Sequence, residues 1–375
     1  LETIMPSLRL AETSGERLPD ASPVVIVGGG NCAHALGVHL AGRGLSVHML
    51  VRNLDRIPPS TRSGFLNATG RVQGRFPLAA VSQDPAQVLE QAQTLFIATV
   101  ADAYPEVARR LAPHLQPGQR VVLFSSKLAG CVAFEHVLHL EGVRGVRVAE
   151  TDALFASRLQ PDGSIQIRGI KRWNLVSTPR RSQTVEALDF LSGLFEGLEA
   201  ADHVIQRGLT DFGALAHPLT MLANLNQVDR KQPFLFYCDG FTERTVVLLE
   251  TLEQEFRQVA RAYQTNLLPA STWLDRYYGC APGSLLEAMR SVPNYQTSVA
   301  PDSLTHRYLQ EDVACTLVPM RALARLAGVS TPVADAVVAL TSALHAVDYD
   351  REGRTLESLG WAGLAPEQIL SRLAA

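Results

Sequence analysis

Short apolar runs alternate with stretches of helical periodicity through the first half of the chain, and beyond about residue 200 the helical pattern takes over. Residues 24–27 (Val-Val-Ile-Val), 45–52, 94–100 and 120–124 read as strands, and further strand-like pieces lie at 146–151, 164–168 and 173–178. Several are apolar at consecutive positions, as expected of strands covered on both faces of a parallel sheet. Between them, residues 104–115 carry apolar side chains at helical spacing and end at Pro117-Gly118. Later, residues 241–263, 285–289, 313–326 and 333–344 repeat that spacing between Gly, Pro or polar clusters. Strand and helix in turn, followed by helices, predict an α/β sheet domain and then an all-α domain. The divisions fall at 1–22, polar and expected to be loose, 23–203 for the sheet domain and 204–375 for the helical domain.

The first strand runs into Gly28-Gly29-Gly30-Asn31-Cys32-Ala33 and then a helix-compatible stretch. Gly28 and Gly30 permit a tight turn and close approach of backbone to a pyrophosphate, and small Ala33 lets helix pack on strand. The N–H groups at the helix start, from Asn31, suit an anion. A ligand-free glycine turn would look similar, but a second strand in order makes this a Rossmann-type doubly wound domain with a nicotinamide or flavin cofactor. That second strand ends in Val51-Arg52 where NAD-selective folds often carry an acid. Arg52 can pair with a 2′-phosphate, so NADP is favoured. NAD stays open, because Arg52 could be a solvated strand end with Asp55 contacting ribose. Ligands lie beyond the carboxyl ends of such strands, making Val100, Asp102 and Ser125-Ser126-Lys127 cleft candidates. For these the alternative is ordinary loop chemistry, and for Asp102 a helix N-cap.

With 375 residues the chain has room for two or three domains. A hydrophobic fraction of 46%, 19% charged residues and a net charge of −3 predict a soluble globular protein with no general attraction to nucleic acid or membrane. Five scattered cysteines, none in a C-x-x-C pair, predict neither a disulfide framework nor a zinc site and fit a reducing cytoplasm. No apolar run approaches the ~18 residues of a membrane span.

Three segments of the helical half carry more. They are Ala216-His217-Pro218, Phe234-Leu235-Phe236-Tyr237-Cys238-Asp239-Gly240, and Thr305-His306-Arg307-Tyr308-Leu309-Gln310-Glu311-Asp312-Val313. With the glycine turn, Glu150-Thr151, residues 273–279 and the tail from Asp348-Tyr349 to Gly360, they resemble the opine dehydrogenase family, including its octopine/nopaline type of helical domain. The likeness runs in order along nearly the whole chain from residue 23. It implies reductive condensation: an amino acid amine and a 2-oxo acid such as pyruvate or 2-oxoglutarate form an imine, which NAD(P)H reduces to an N-(carboxyalkyl)amino acid. It further implies that His217 moves the proton, that Asp312 fixes its tautomer, and that Arg307 holds a substrate carboxylate.

Elementary chemistry fits those roles. Histidine titrates near neutrality, an aspartate behind it stabilises imidazolium, and the arginine fork matches a carboxylate. Arg307 and Asp312, five apart, sit about 140° apart around an ideal helix, so Arg307 is expected in an entering loop and Asp312 in the first helical turn. Plainer roles exist for each: His217 as a turn or helix-entry residue, Arg307 with Glu311 as a surface pair, Asp312 as a partner of the helix dipole. His306 reads as structural, and Tyr237 and Tyr308 as cleft wall or core. Two other functions compete. One is a two-domain NADP-dependent hydroxy-acid or polyol-phosphate dehydrogenase using lysine, disfavoured because Lys231 is the only lysine of the helical half, although Lys127 could reach the cofactor. The other is a non-catalytic NADP-binding sensor. The identity of both substrates is not legible, and a homodimer is left open.

Overall fold

A computed structural model describes residues 22–280 and 283–375. The expected loose segment 1–22 lies almost wholly outside the described residues.

Twelve strands follow in chain order: β1 (Val24–Val27), β2 (Val47–Leu50), β3 (Phe65–Gly70), β4 (Gly74–Pro77), β5 (Ala80–Ser82), β6 (Thr94–Ile97), β7 (Arg120–Phe124), β8 (Arg147–Thr151), β9 (Phe155–Leu159), β10 (Ile165–Ile170), β11 (Asn174–Ser177) and β12 (Leu198–Ala200). Eight form one sheet in the order β12-β11-β8-β7-β6-β1-β2-β5. From β5 to β8 it is parallel, and β11 then pairs antiparallel with β8. Chain order reverses beside β1, so the crevice for a ligand opens at its carboxyl end. Val24 and Ile26 point to one apolar core while Val25 and Val27 point to the other. Period-two alternation with both faces covered explains why these strands read as unbroken apolar runs.

A second sheet, β4-β3-β10-β9, was not foreseen as separate. Its strands β3 and β4 carry glycines, charges and half-exposed positions, and β3 pairs in parallel with β10, nearly a hundred residues away. Helix Asn31–Gly42 is wedged against it so closely that a Cβ on Gly37 would meet Leu66 Cδ1 at 2.6 Å.

From Val204 the chain is helical, and its long helix Glu243–Ala262 contributes Leu249, Leu252, Phe256 and Val259 to the core shared with one face of the large sheet. The apolar stretch 313–326 is not one uniform helix. Residues Val313–Leu317 form a π-turn before helix Val318–Leu326. The N–H of Val318 bonds Val313 O, and Pro319 has no N–H to offer Cys315 O. Two carbonyls are thereby freed: Ala314 O accepts from Arg354 N at 2.8 Å and Cys315 O accepts from Leu128 N at 3.1 Å. A kink in the helical half thus grips the loop after β7.

Candidate active site

A cleft of about 530 Å³ lies between the carboxyl end of the sheet and the helical half. The glycine turn forms one wall. A Cβ on Gly28, whose φ is +141°, would meet Ala98 O at 2.7 Å, whereas one on Gly30 would meet nothing within 4 Å. Gly28 is therefore demanded by packing, and Gly30 leaves its backbone open to a ligand. No side chain caps helix Asn31–Gly42, and its first turn carries no acid. Exposed N–H groups in a positive helix end fit the pyrophosphate of a nicotinamide cofactor. Gly28, Gly30, Asn31 and Val100 all line the cleft. Ala33 is fully buried beneath the turn, 3.4 Å from the position of a Gly28 Cβ. The Asn31 side chain is already engaged, accepting from Leu159 N at 2.8 Å, so its backbone is the part available to a ligand. Burial pushes the neighbouring Cys32 thiol up to about 12, which keeps a thiolate away from an anion site.

Arg52 is exposed beyond the end of β2 and outside the cleft lining; its carbonyl accepts from Gln83 Nε2 at 3.2 Å. Asp55 is exposed as well, 3.7 Å from Arg62. Asp102 lies in a short 3-10 turn and supplies no side-chain cap to the helix that follows.

Beyond β7 the backbone is strained. Ser125, Lys127 and Ala129 hold φ values of 86°, 62° and 56°, a region that non-glycine residues seldom enter. Successive carbonyls are all bound: Ser125 O by the Tyr104 hydroxyl, Ser126 O and Leu128 O by Arg354 Nη1, and Lys127 O by Arg207 Nη2. Such over-determination keeps a strained turn in place. It delivers the Lys127 side chain, 4% exposed, to Asp211 Oδ2 at 3.0 Å and Asp312 Oδ1 at 2.5 Å. Burial alone would depress the lysine, but Asp211 and Asp312 outweigh it and hold the ammonium well above its usual range.

His217 is brought to the same place by helix Phe212–Ala223, whose N-cap Asp211 accepts from Ala214 N. It is neither a turn nor an entry residue; it sits mid-helix before Pro218, both buried. Its Nδ1 lies 2.7 Å from Asp312 Oδ2 and its Nε2 lies 2.8 Å from the Tyr237 hydroxyl. Because ionised Asp312 can only accept, Nδ1 carries the proton and Nε2 accepts from the phenol. Burial raises the Tyr237 phenol well above its ordinary value, so it remains a donor. The Tyr308 ring stacks on the imidazole at 3.7 Å between centroids. Burial lowers the His217 pKa below 6.5, with the Asp312 hydrogen bond opposing and Lys127 assisting. Asp312 itself is pulled down: burial would raise it, and Lys127 and His217 more than compensate.

Arg307 opens helix Arg307–Asp312, with His306 as N-cap accepting from Tyr308 N. Asp312 is the last of that helix's 6 residues, so the expectation of a loop arginine and a first-turn aspartate is corrected. Their separate faces survive: Arg307 Nη1 pairs with Glu311 Oε2 at 3.2 Å, and Asp312 turns to His217. Nor is the arginine pair merely superficial, since Glu311 is buried and its Oε1 accepts from Ala101 N of the sheet domain at 2.8 Å. Arg307 remains half exposed in the cleft.

The sequence reading did not find the Lys127–Asp211 partnership or the bond from Tyr237 to His217. Asp211 ahead of an apolar helical run was a legible N-cap signal. Nothing local announced its ion pair.

Residues 200–345 match the family model of the NAD/NADP octopine/nopaline dehydrogenase alpha-helical domain. An opine dehydrogenase of Arthrobacter sp. (strain 1C) is 29% identical over 94% of this chain and 99% of its own. An opine dehydrogenase of Haliotis discus hannai is 24% identical over 84% and 88% respectively. In fold, the chain is similar to octopine dehydrogenase solved with NADH and L-arginine, at a TM-score of 0.74, 20% identity, and coverage of 93% and 98%. Yersinopine dehydrogenase with NADP+ bound superposes at a TM-score of 0.67, 16% identity, and coverage of 94% and 98%. No helix among the described residues is long and apolar enough to cross a membrane. A glycine turn, a buried His217–Asp312 pair and a helical half that matches the octopine/nopaline dehydrogenase model occur together in one chain, and along nearly its whole length that chain is similar to opine dehydrogenases.

Proposed function

We propose that the protein joins the amine of an amino acid to the carbonyl of a 2-oxo acid and reduces the resulting imine, giving an N-(carboxyalkyl)amino acid. The observation that carries this reading is the His217–Asp312 pair at 2.7 Å, opening on the cleft that the glycine turn walls. Solved relatives with NADH and L-arginine, and with NADH and pyruvate, support the substrate classes by analogy. Residues 23–203 would hold the cofactor and 204–375 close on it, in a cytoplasmic enzyme.

The bound nicotinamide supplies a hydride to the imine carbon. The chain handles the proton and the carboxylates. With Nδ1–H committed to Asp312, Nε2 is the nitrogen free to trade protons with the reactants, either directly or through the Tyr237 hydroxyl. As imidazolium, His217 protonates the departing hydroxyl of the carbinolamine, so that water leaves and the imine forms. Arg307 holds a carboxylate through its fork. Lys127 is the observation to weigh for a lysine-based hydroxy-acid dehydrogenase, but its ammonium is matched by two carboxylates.

The test is oxidation of NADPH and NADH with a panel of 2-oxo acids, with and without amino acids, and identification of products by mass. Consumption that requires both partners, with a product of the condensed and reduced mass, is expected. Turnover on the oxo acid alone would establish a hydroxy-acid dehydrogenase instead, and binding without turnover a sensor.

Cofactor choice has its own variant. If Arg52 pairs with the 2′-phosphate, Arg52→Ala should raise the KM for NADPH about tenfold or more, as for a lost charged hydrogen bond, and barely change that for NADH. Equal changes for the two would remove the arginine from the site.

A further inference from the structure

Arg168 is the extra residue of a bulge in β10. Ile167 pairs with Ser157 of β9 and Gly169 pairs with Ala156, so nothing on β9 stands opposite Arg168. A bulge of this kind breaks the alternation of faces and re-aims a side chain. Here the side chain lines the cleft, beside Ser157 of β9 and Asn294 and Ser298 of the helical half. The strand lies close against that half, for a Cβ on Gly169 would meet Asn294 Oδ1 at 3.1 Å.

The charges around the cleft are paired with one exception. Lys127 has Asp211 and Asp312, Lys171 has Asp152, and Arg307 has Glu311. Arg168 alone among these cations has no carboxylate within ion-pair reach among the described residues. Its Nη1 reaches only Ser298 Oγ, at 3.5 Å, and its Nε is buried without a hydrogen-bond partner. A half-buried guanidinium with an unspent donor favours an anionic ligand, and its planar fork matches a carboxylate.

We propose that Arg168 is a specificity-determining residue that binds the second of the two carboxylates which meet in the reaction, the first being held by Arg307. The proposal rests on the reductive-condensation reading, in which each substrate brings one carboxylate to the imine. Two arginines on opposite sides of the domain seam then align amine and carbonyl before reduction. The orientation requires both halves, because Arg168 stands on the sheet domain and Arg307 on the helical one.

Steady-state kinetics of Arg168→Met and Arg307→Met decide the matter. Arg168→Met is expected to raise the KM for one substrate, amino acid or 2-oxo acid, by about tenfold or more, the loss of a charged hydrogen bond, with the KM for NAD(P)H unchanged. Arg307→Met should raise the KM for the other substrate. Arg168→Lys keeps the charge without the fork, is expected to keep the wild-type melting temperature, and should weaken the same substrate to a smaller degree. A rise in the KM for NAD(P)H would assign Arg168 to a cofactor phosphate and overturn the proposal. So would unchanged kinetics, or an effect on the same substrate as Arg307→Met. A wild-type enzyme that fails to condense the two partners sinks the underlying reading, and this inference with it; one that condenses them while Arg168→Met behaves normally sinks the inference alone.

Discussion

Replacing His217 by asparagine should lower kcat for reductive condensation by about 10²–10⁴ and leave the dissociation constant of NAD(P)H within about twofold. The split follows from position: the imidazole lies among Asp312, Tyr237 and Tyr308 of the helical half, while the glycine turn stands on the opposite wall. A purely structural histidine would instead lower the melting temperature and spare kcat. The pH dependence supplies a second sign. Burial sets the His217 pKa below 6.5, so in the proposed mechanism oxidation of an opine, which would need the neutral base, should rise with pH through the depressed pKa and level off by neutrality. Reduction, which needs the imidazolium, should fall over the same range. Asp312→Asn removes the anion that props the pKa up, and both limbs should move to lower pH. Limbs that stay where they were would separate Asp312 from proton transfer. Removing the donor to Nε2 acts in the opposite direction, because Tyr237→Phe withdraws a bond that favours neutral imidazole.

The parts of this machine that were legible in the sequence are those whose signals are local. β1 and β7 were readable as continuous apolar segments because both faces are covered, and Gly28 because its φ and the approach of Ala98 admit nothing larger. The family's residues around His217, Arg307 and Asp312 could be picked out in order, and the fold brings His217 and Asp312 into contact. What escaped depends on distant partners. β3 finds β10 across the chain, and its glycine, asparagine and half-exposed positions give no strong alternation. Arg168 was part of a strand-like piece, but a bulge is defined by the register of a neighbour and has no signature in the strand alone. Helix Arg307–Asp312 begins earlier than expected because His306 serves as a cap, a role more usual for Ser, Thr, Asp or Asn. Lys127 was legible as a cleft candidate at a strand end and does line the cleft, but its acids stand 84 residues away at Asp211 and farther still at Asp312, so its ion pairs were not.

Substituting methionine for Lys127 should cost about 3–5 kcal/mol of apparent unfolding free energy at neutral pH, because it leaves a buried charge uncompensated. Methionine nearly preserves volume, so packing contributes little to the loss. What remains is Asp211 and Asp312, both buried, facing each other without the ammonium that lies 3.0 Å from one and 2.5 Å from the other. In the wild type that ammonium helps hold both carboxyls below their usual range, so their contribution to stability is present above pH 3.8 and is lost as pH falls through their depressed values. Without Lys127, burial and mutual repulsion push at least one of them upward, and it takes up a proton. The penalty should therefore shrink as pH is lowered from 7.5 toward about 5, the opposite of a simple cavity, whose cost would be indifferent to pH. Urea unfolding of both proteins across that range distinguishes the two. The same substitution also removes a cation that depresses His217, so the catalytic limb should move to higher pH. A loss of stability independent of pH, with an unmoved limb, would reduce Lys127 to a packing residue and detach it from the His217–Asp312 pair.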